Sequence, residues 1–155
     1  MRVLLVVDMQ EGFVSNAGYR RLAEDINQLV SKQDYDKYIF TKFINDKSKN
    51  SMYIDKLNWT KLQSEKEQAF SVNIPVNSIV MEKYGYGLKS EDLAVIGALG
   101  VKEIDVCGVK SEACVYAISL QLWDMGICPN ILSKYVLGDV DMSLVYEKQF
   151  GKIVK

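Results

Sequence analysis

The stretch Glu103–Met125, EIDVCGVKSEACVYAISLQLWDM, decides how the rest of the chain is read. Its opening run, EIDVCGV, has the apolar character of a strand buried on both faces. Its remainder, EACVYAISLQLWDM, reads as a long helix stopped by Gly126. A strand that passes into a helix through so short a turn is half of a β–α–β unit. Such units pair their strands in parallel through right-handed crossovers.

The same alternation extends in both directions. VLLVV (Val3–Val7) is a β-branched run ending at Asp8, and AGYRRLAEDINQLVSK places Leu22, Ile26, Leu29 and Val30 on one helical face. KYIFTKF (Lys37–Phe43) reads as a second strand and SIVMEK (Ser78–Lys83) as a third. Ser90 is expected to cap the helix EDLAVIGAL, with Gly100 just past its end. CPNILS supplies a fifth strand, and the tail MSLVYEKQFGKIVK a helix followed by a last strand. The segment from Ile44 to Asn77 is polar and irregular, with a short helix expected around Trp59 to Lys66. This order predicts one domain over residues 1–155: an α/β fold, three-layer α/β/α, with a mainly parallel central sheet.

Composition removes several functions. The chain has 155 residues, 48% hydrophobic and 25% charged, the balance of a globular domain. Lys+Arg number 19 against Asp+Glu 20, a net charge of -1, and the lysines are scattered, so there is no basic footprint for nucleic acid. MRVLLVVDMQ is apolar too briefly for a signal sequence or a membrane span, so a cytoplasmic protein is expected. Three distant cysteines form no C-x-x-C pair and imply neither a disulfide framework nor zinc. Cys107 and Cys128 read as packing residues.

The chain has no histidine. Any catalysis must therefore run on carboxylate, lysine, tyrosine and thiol, since the commonest general base and metal ligand is missing. In parallel sheets, sites gather beyond the carboxyl ends of the strands. Asp8, Lys83 and the loop GVKSEACVY (Gly108–Tyr116) all lie at such ends. With Ser111 as N-cap, Cys114 would be the third helical residue, where free N–H groups favour an anion. A thiol titrating near ~8.5 can be lowered there by a unit or more, with Lys83 as the nearby cation and Asp8 as the proton acceptor. The residues alone leave two readings open. Cys114 is either a nucleophile with its base and cation, or a small apolar residue packed in a helix, with Asp8 a cap and Lys83 a surface charge.

The motifs VVDMQEGFV (Val6–Val14), VMEK (Val80–Lys83) and GVKSEACVYA (Gly108–Ala117) resemble, in order and spacing, those of the isochorismatase-like cysteine hydrolases. That superfamily includes nicotinamidases, N-carbamoylsarcosine amidase and ureidoacrylate hydrolases. The similarity runs from Met1 to about Leu132. It implies a Rossmann-like fold with Cys114 as nucleophile, Asp8 as base and Lys83 as third catalytic residue. It further implies a cis peptide between Val109 and Lys110, with the Lys110 and Cys114 amides forming an oxyanion hole. Phe13 matches the family's pocket aromatic. Tyr84 and Tyr86, in KYGYGLKS, stand where relatives carry other pocket residues.

The departures concern substrate. Nicotinamidases carry an Asp and His metal site after the second strand, where this chain reads TKFINDKSKN, so neither a metal nor another cofactor is expected. The chain also reads as short for the family, the missing length falling in the middle. The expected function is hydrolysis of an amide or ureide C–N bond in a small molecule, by a homo-oligomer. Three rivals are a catalytically silent scaffold, a vinyl-ether hydrolase and a receiver-like phosphoacceptor; the last lacks an acceptor Asp at the end of the third strand.

Overall fold

The computed structural model describes residues 1–151. Five strands, β1 (Val3–Val7), β2 (Lys37–Phe43), β3 (Ile79–Lys83), β4 (Glu103–Val109) and β5 (Cys128–Leu137), form one sheet in the order β3-β2-β1-β4-β5. Every ladder is parallel. Helices α1 (Ala17–Ser31), α4 (Ser90–Ala98), α5 (Tyr116–Asp124) and α6 (Ser143–Phe150) flank the sheet in a three-layer α/β/α arrangement. Two single-turn helices, α2 (Met52–Asp55) and α3 (Glu65–Gln68), interrupt the long β2–β3 connection.

Burial follows sheet position. All five residues of central β1 are buried, whereas edge strand β3 alternates, with Met81 and Lys83 inward. On α1, Tyr19, Leu22, Ala23, Ile26 and Val30 form the buried stripe, and Asn16 caps the helix by accepting from the Tyr19 N–H.

The chain lays down β1, β2 and β3 outward in one direction and then returns to place β4 on the other side of β1. This reversal opens a crevice at the carboxyl ends of β1 and β4. Gly108 sets how close those ends come. It pairs with Val7 at φ +115°, and a Cβ there would lie 2.1 Å from the Val7 carbonyl oxygen. Only glycine allows this approach.

Four local expectations differ from the fold. No helix spans Trp59–Lys66: Asn58 and Leu62 take positive φ, and burial of the Leu62 side chain outweighs helical continuity. Ser90 is the first residue of α4 rather than its cap, and Lys89 precedes it without a side-chain bond. Strand β5 runs on past Ser133 to Leu137 after a register break opposite Val106–Gly108. The segment Ser111–Val115 is a wide π-type turn, with the Lys110 carbonyl accepting from both Ala113 and Val115 N–H groups. Ser111 is therefore not an N-cap. The last strand expected at the carboxyl end lies outside the described residues.

Candidate active site

Asp8 follows β1 directly and is fully buried. Its φ of 49° is left-handed, a conformation that costs a non-glycine residue about 1–2 kcal/mol. Thr41, from the middle of β2, holds the carboxylate. Its hydroxyl donates to Asp8 Oδ1 at 2.6 Å, and its oxygen accepts from the Asp8 N–H at 3.1 Å. Gln10 secures the same corner: Nε2 donates to the carbonyls of Phe43 and Gln68, and Oε1 accepts from the Phe43 N–H at 2.8 Å. Neither Thr41 nor Gln10 was identified as a site residue from sequence. The available signal was one aliphatic hydroxyl in the run KYIFTKF and an amide inside the D-M-Q element.

Lys83, the last residue of β3, reaches across the end of β2 over the Phe43 ring, 4.6 Å from its centroid. Its side chain is fully buried. The ammonium lies 2.8 Å from Asp8 Oδ2 and donates to Cys114 Sγ at 3.3 Å, the Gly85 carbonyl at 2.8 Å and the Tyr86 carbonyl at 3.3 Å. Three protons thus face four neighbours. Asp8 Oδ2 is the neighbour that pairs with the ammonium by charge.

Electrostatics sets the resting protonation state. Burial alone would lower the Lys83 pKa; the Asp8 charge and Cys114 reverse that and hold it above the ordinary lysine value. The Cys114 thiol is pushed well above its ordinary value by burial first and by Asp8 second, with Lys83 only partly offsetting them. The lowered thiol expected from the sequence is therefore not what the site produces, because the sulfur is 3% exposed and faces a carboxylate. At rest these shifts keep Lys83 an ammonium and Cys114 a neutral thiol.

The Val109–Lys110 peptide is cis, and Lys110, Ala113 and Cys114 of the wide turn after it border one cavity. Cys114 forms one boundary of a cavity of about 240 Å³. Phe13, Phe43, Tyr53, Leu57, Trp59 and Tyr86 line most of it. Phe13 and Trp59 stack at 5.9 Å, and Tyr53 meets Tyr86 edge-on at 5.0 Å. Phe13 and Tyr86 both line this cavity with Cys114. Tyr84 does not line the cavity; its ring lies beside the Lys49 and Lys89 ammonium groups, because the residue next to inward-facing Lys83 turns away. Tyr53 and Trp59, from the β2–β3 connection, take its place. A larger cavity of about 330 Å³ lies against β5 and α6 but touches none of Asp8, Lys83 and Cys114.

Among solved structures, a pyrazinamidase of Pyrococcus horikoshii in complex with zinc shares 22% identity, with 99% of this chain and 98% of that chain covered at a TM-score of 0.79. An N-carbamoylsarcosine amidase from Thermoplasma acidophilum shares 13%, with coverage of 100% and 96% and a TM-score of 0.85. A nicotinamidase from Bacillus subtilis shares 15%, with coverage of 99% and 98% and a TM-score of 0.80. Against these proteins the chain is not shortened, contrary to the expectation from sequence. No curated protein sequence matches it.

Zinc in the pyrazinamidase prompts a test of the donor set here. The chain has no histidine, and among the described residues no three His, Cys, Asp or Glu side chains cluster. After β2, Asn45 spends its amide on the Trp59 and Lys61 carbonyls, fixing the loop that carries Trp59. These residues do not fit a zinc ion. No helix among the described residues is long and apolar enough to cross a membrane. The isochorismatase domain matches residues 2–136, and the chain belongs to the isochorismatase family.

Proposed function

We propose that the protein is a cysteine hydrolase that cleaves the C–N bond of a small amide or ureide. The observation that carries this reading is the Lys83 ammonium, buried between Asp8 Oδ2 at 2.8 Å and Cys114 Sγ at 3.3 Å beside an aromatic cavity. A buried ion pair contributes little net stability compared with apolar side chains, so structure alone does not call for it. Its position against a thiol supports a chemical role.

The substrate carbonyl carbon approaches Sγ with its oxygen toward the Lys110 and Cys114 N–H groups. Asp8 removes the thiol proton as the S–C bond forms, and the developing oxyanion rests on the two amides. Lys83 keeps positive charge beside the sulfur, so charge is never left uncompensated. Collapse of the tetrahedral intermediate breaks the C–N bond, and Asp8 passes its proton to the departing nitrogen. Water then enters and gives a proton to Asp8 while its oxygen attacks the thioester carbon. The acid leaves, and the Asp8 proton returns to sulfur. The stacked Phe13 and Trp59 rings suit a flat group on the substrate. Self-association is part of the same proposal and is checked by light scattering in solution.

The test is a screen of small amides and ureides for ammonia or amine release with wild type and Cys114→Ala, alongside iodoacetamide labelling followed by mass spectrometry. Release that vanishes in Cys114→Ala, and Cys114 labelling that vanishes in Asp8→Asn while Cys128 labelling persists, support the mechanism. Full turnover by Cys114→Ala overturns it. Absence of turnover on every substrate favours the silent scaffold.

A further inference from the structure

The loop Tyr84–Leu88 decides where the Lys83 ammonium sits, because the Gly85 and Tyr86 carbonyls accept two of its protons. This loop contains neither helix nor strand, so something else must fix it. At its start, Asn50 Nδ2 donates to the Tyr84 carbonyl at 3.0 Å. At its end stands Gln121, on α5. Gln121 Oε1 accepts from the Leu88 N–H at 2.8 Å, and Nε2 donates to the Leu88 carbonyl at 3.1 Å. This two-bond clasp satisfies both backbone groups of one loop residue. Gly87 fits against the same amide: a Cβ there would come within 2.8–2.9 Å of its Oε1, Cδ and Nε2 atoms.

We propose that Gln121 is a positioning residue for the reaction. Through Leu88 it sets the loop whose carbonyls hold the Lys83 ammonium against Cys114 and whose Tyr86 ring walls the cavity. The inference rests on the roles given above to Lys83 and Cys114. Gln121 touches neither substrate nor reacting atoms. It lies on α5, seven residues beyond Cys114, so the helix that follows the sulfur's turn also reaches the cation through this side chain. Losing the clasp lets the carbonyls drift, and the ammonium moves with them. The thiol then loses the Lys83 charge that offsets Asp8, so ionisation becomes harder.

Two readouts test this: kcat and KM on whichever amide the wild type cleaves, and the rate of Cys114 alkylation by iodoacetamide across pH, which needs no substrate. Urea unfolding gives the folded fraction of each variant. Gln121→Leu is expected to lower kcat and the Cys114 alkylation rate at least about tenfold, the scale of a small misplacement. It should also move the alkylation profile to higher pH and leave Cys128 alkylation as in wild type. Gln121→Glu, which keeps only the acceptor for the Leu88 N–H, should fall between the two. Gly87→Ala should slow both readouts in the wild-type background and much less in Gln121→Ala, because the atoms the new methyl meets are gone. Wild-type rates in Gln121→Leu, losses that track only the folded fraction, or additive effects of Gly87→Ala and Gln121→Ala overturn the proposal. If wild type cleaves no amide while Gln121→Leu still slows Cys114 alkylation, the function proposed above falls and the positioning role stands.

Discussion

Replacing Lys83 with methionine, of similar length and no charge, probes the buried ion pair most directly. The wild-type charges lie 2.8 Å apart with both side chains fully buried. At an effective dielectric constant of about 20, that separation corresponds to a Coulomb attraction of about 6 kcal/mol. Much of this offsets desolvation, but removing one partner leaves the Asp8 charge uncompensated, at a cost of about 3–5 kcal/mol. A domain of this size is stable by about 5–15 kcal/mol, so Lys83→Met should stay folded with a large loss in urea midpoint. Asp8→Asn should also destabilise, because it leaves an unpaired ammonium. The double variant Asp8→Asn/Lys83→Met removes both charges and should be less destabilised than the sum of the single changes, by at least about 2 kcal/mol. Urea unfolding of all four proteins at one pH supplies the cycle. Additivity within about 0.5 kcal/mol would refute the claim that the two charges are coupled in the folded state.

Three further outcomes are expected. Gly108→Ala forces a Cβ against the Val7 carbonyl at a positive φ, and should lower stability by at least about 2 kcal/mol and separate Asp8 from Cys114, as read by urea midpoint and Cys114 alkylation. Stability should fall above pH 9, measured by urea midpoints from pH 8 to 10.5. Burial, with a smaller contribution from Asp105, holds the Cys107 thiol protonated in the fold, while the unfolded chain loses that proton above the ordinary value of 9.0. The loss is at most about 1.4 kcal/mol per pH unit for each such thiol, and Cys107→Ala should flatten the slope. Trp59→Ala, which removes the ring stacked on Phe13, should raise KM by about tenfold and change kcat less, as steady-state kinetics on a cleaved amide will read.

The parts of the fold visible in sequence are those where burial alone dictates residue type. β1, β2 and β4 fall where their apolar runs place them, because a strand covered on both faces has little choice. The positions of Asp8, Lys83 and Cys114 at strand ends were legible for the same reason. What was hidden depends on contacts distant in sequence. The wide turn at Ser111–Val115 comes from one carbonyl serving two amides, which no periodicity records. The thiol's protonation depends on how deeply the sulfur sits and on which charge lies closer. Tyr84 falls outside the cavity and Trp59 inside it, because aromatic spacing does not reveal on which side of a loop a ring falls. Thr41 and Gln121 act through partners 33 residues away in each case, and neither has a local motif.

Asn45 grips the loop bearing the aromatic wall, its side-chain amide donating to the Trp59 and Lys61 carbonyls and its backbone N–H to that of Leu62. Tyr53, Leu57 and Trp59 of the cavity wall thus belong to this loop, whereas Asp8 and Lys83 stand at strand ends and Cys114 in the turn after β4. Exchanging the residues between Ser51 and Lys61 for those of another family member, with Asn50 and its bond to the Tyr84 carbonyl kept, should redirect which molecule is accepted while leaving the reacting trio intact.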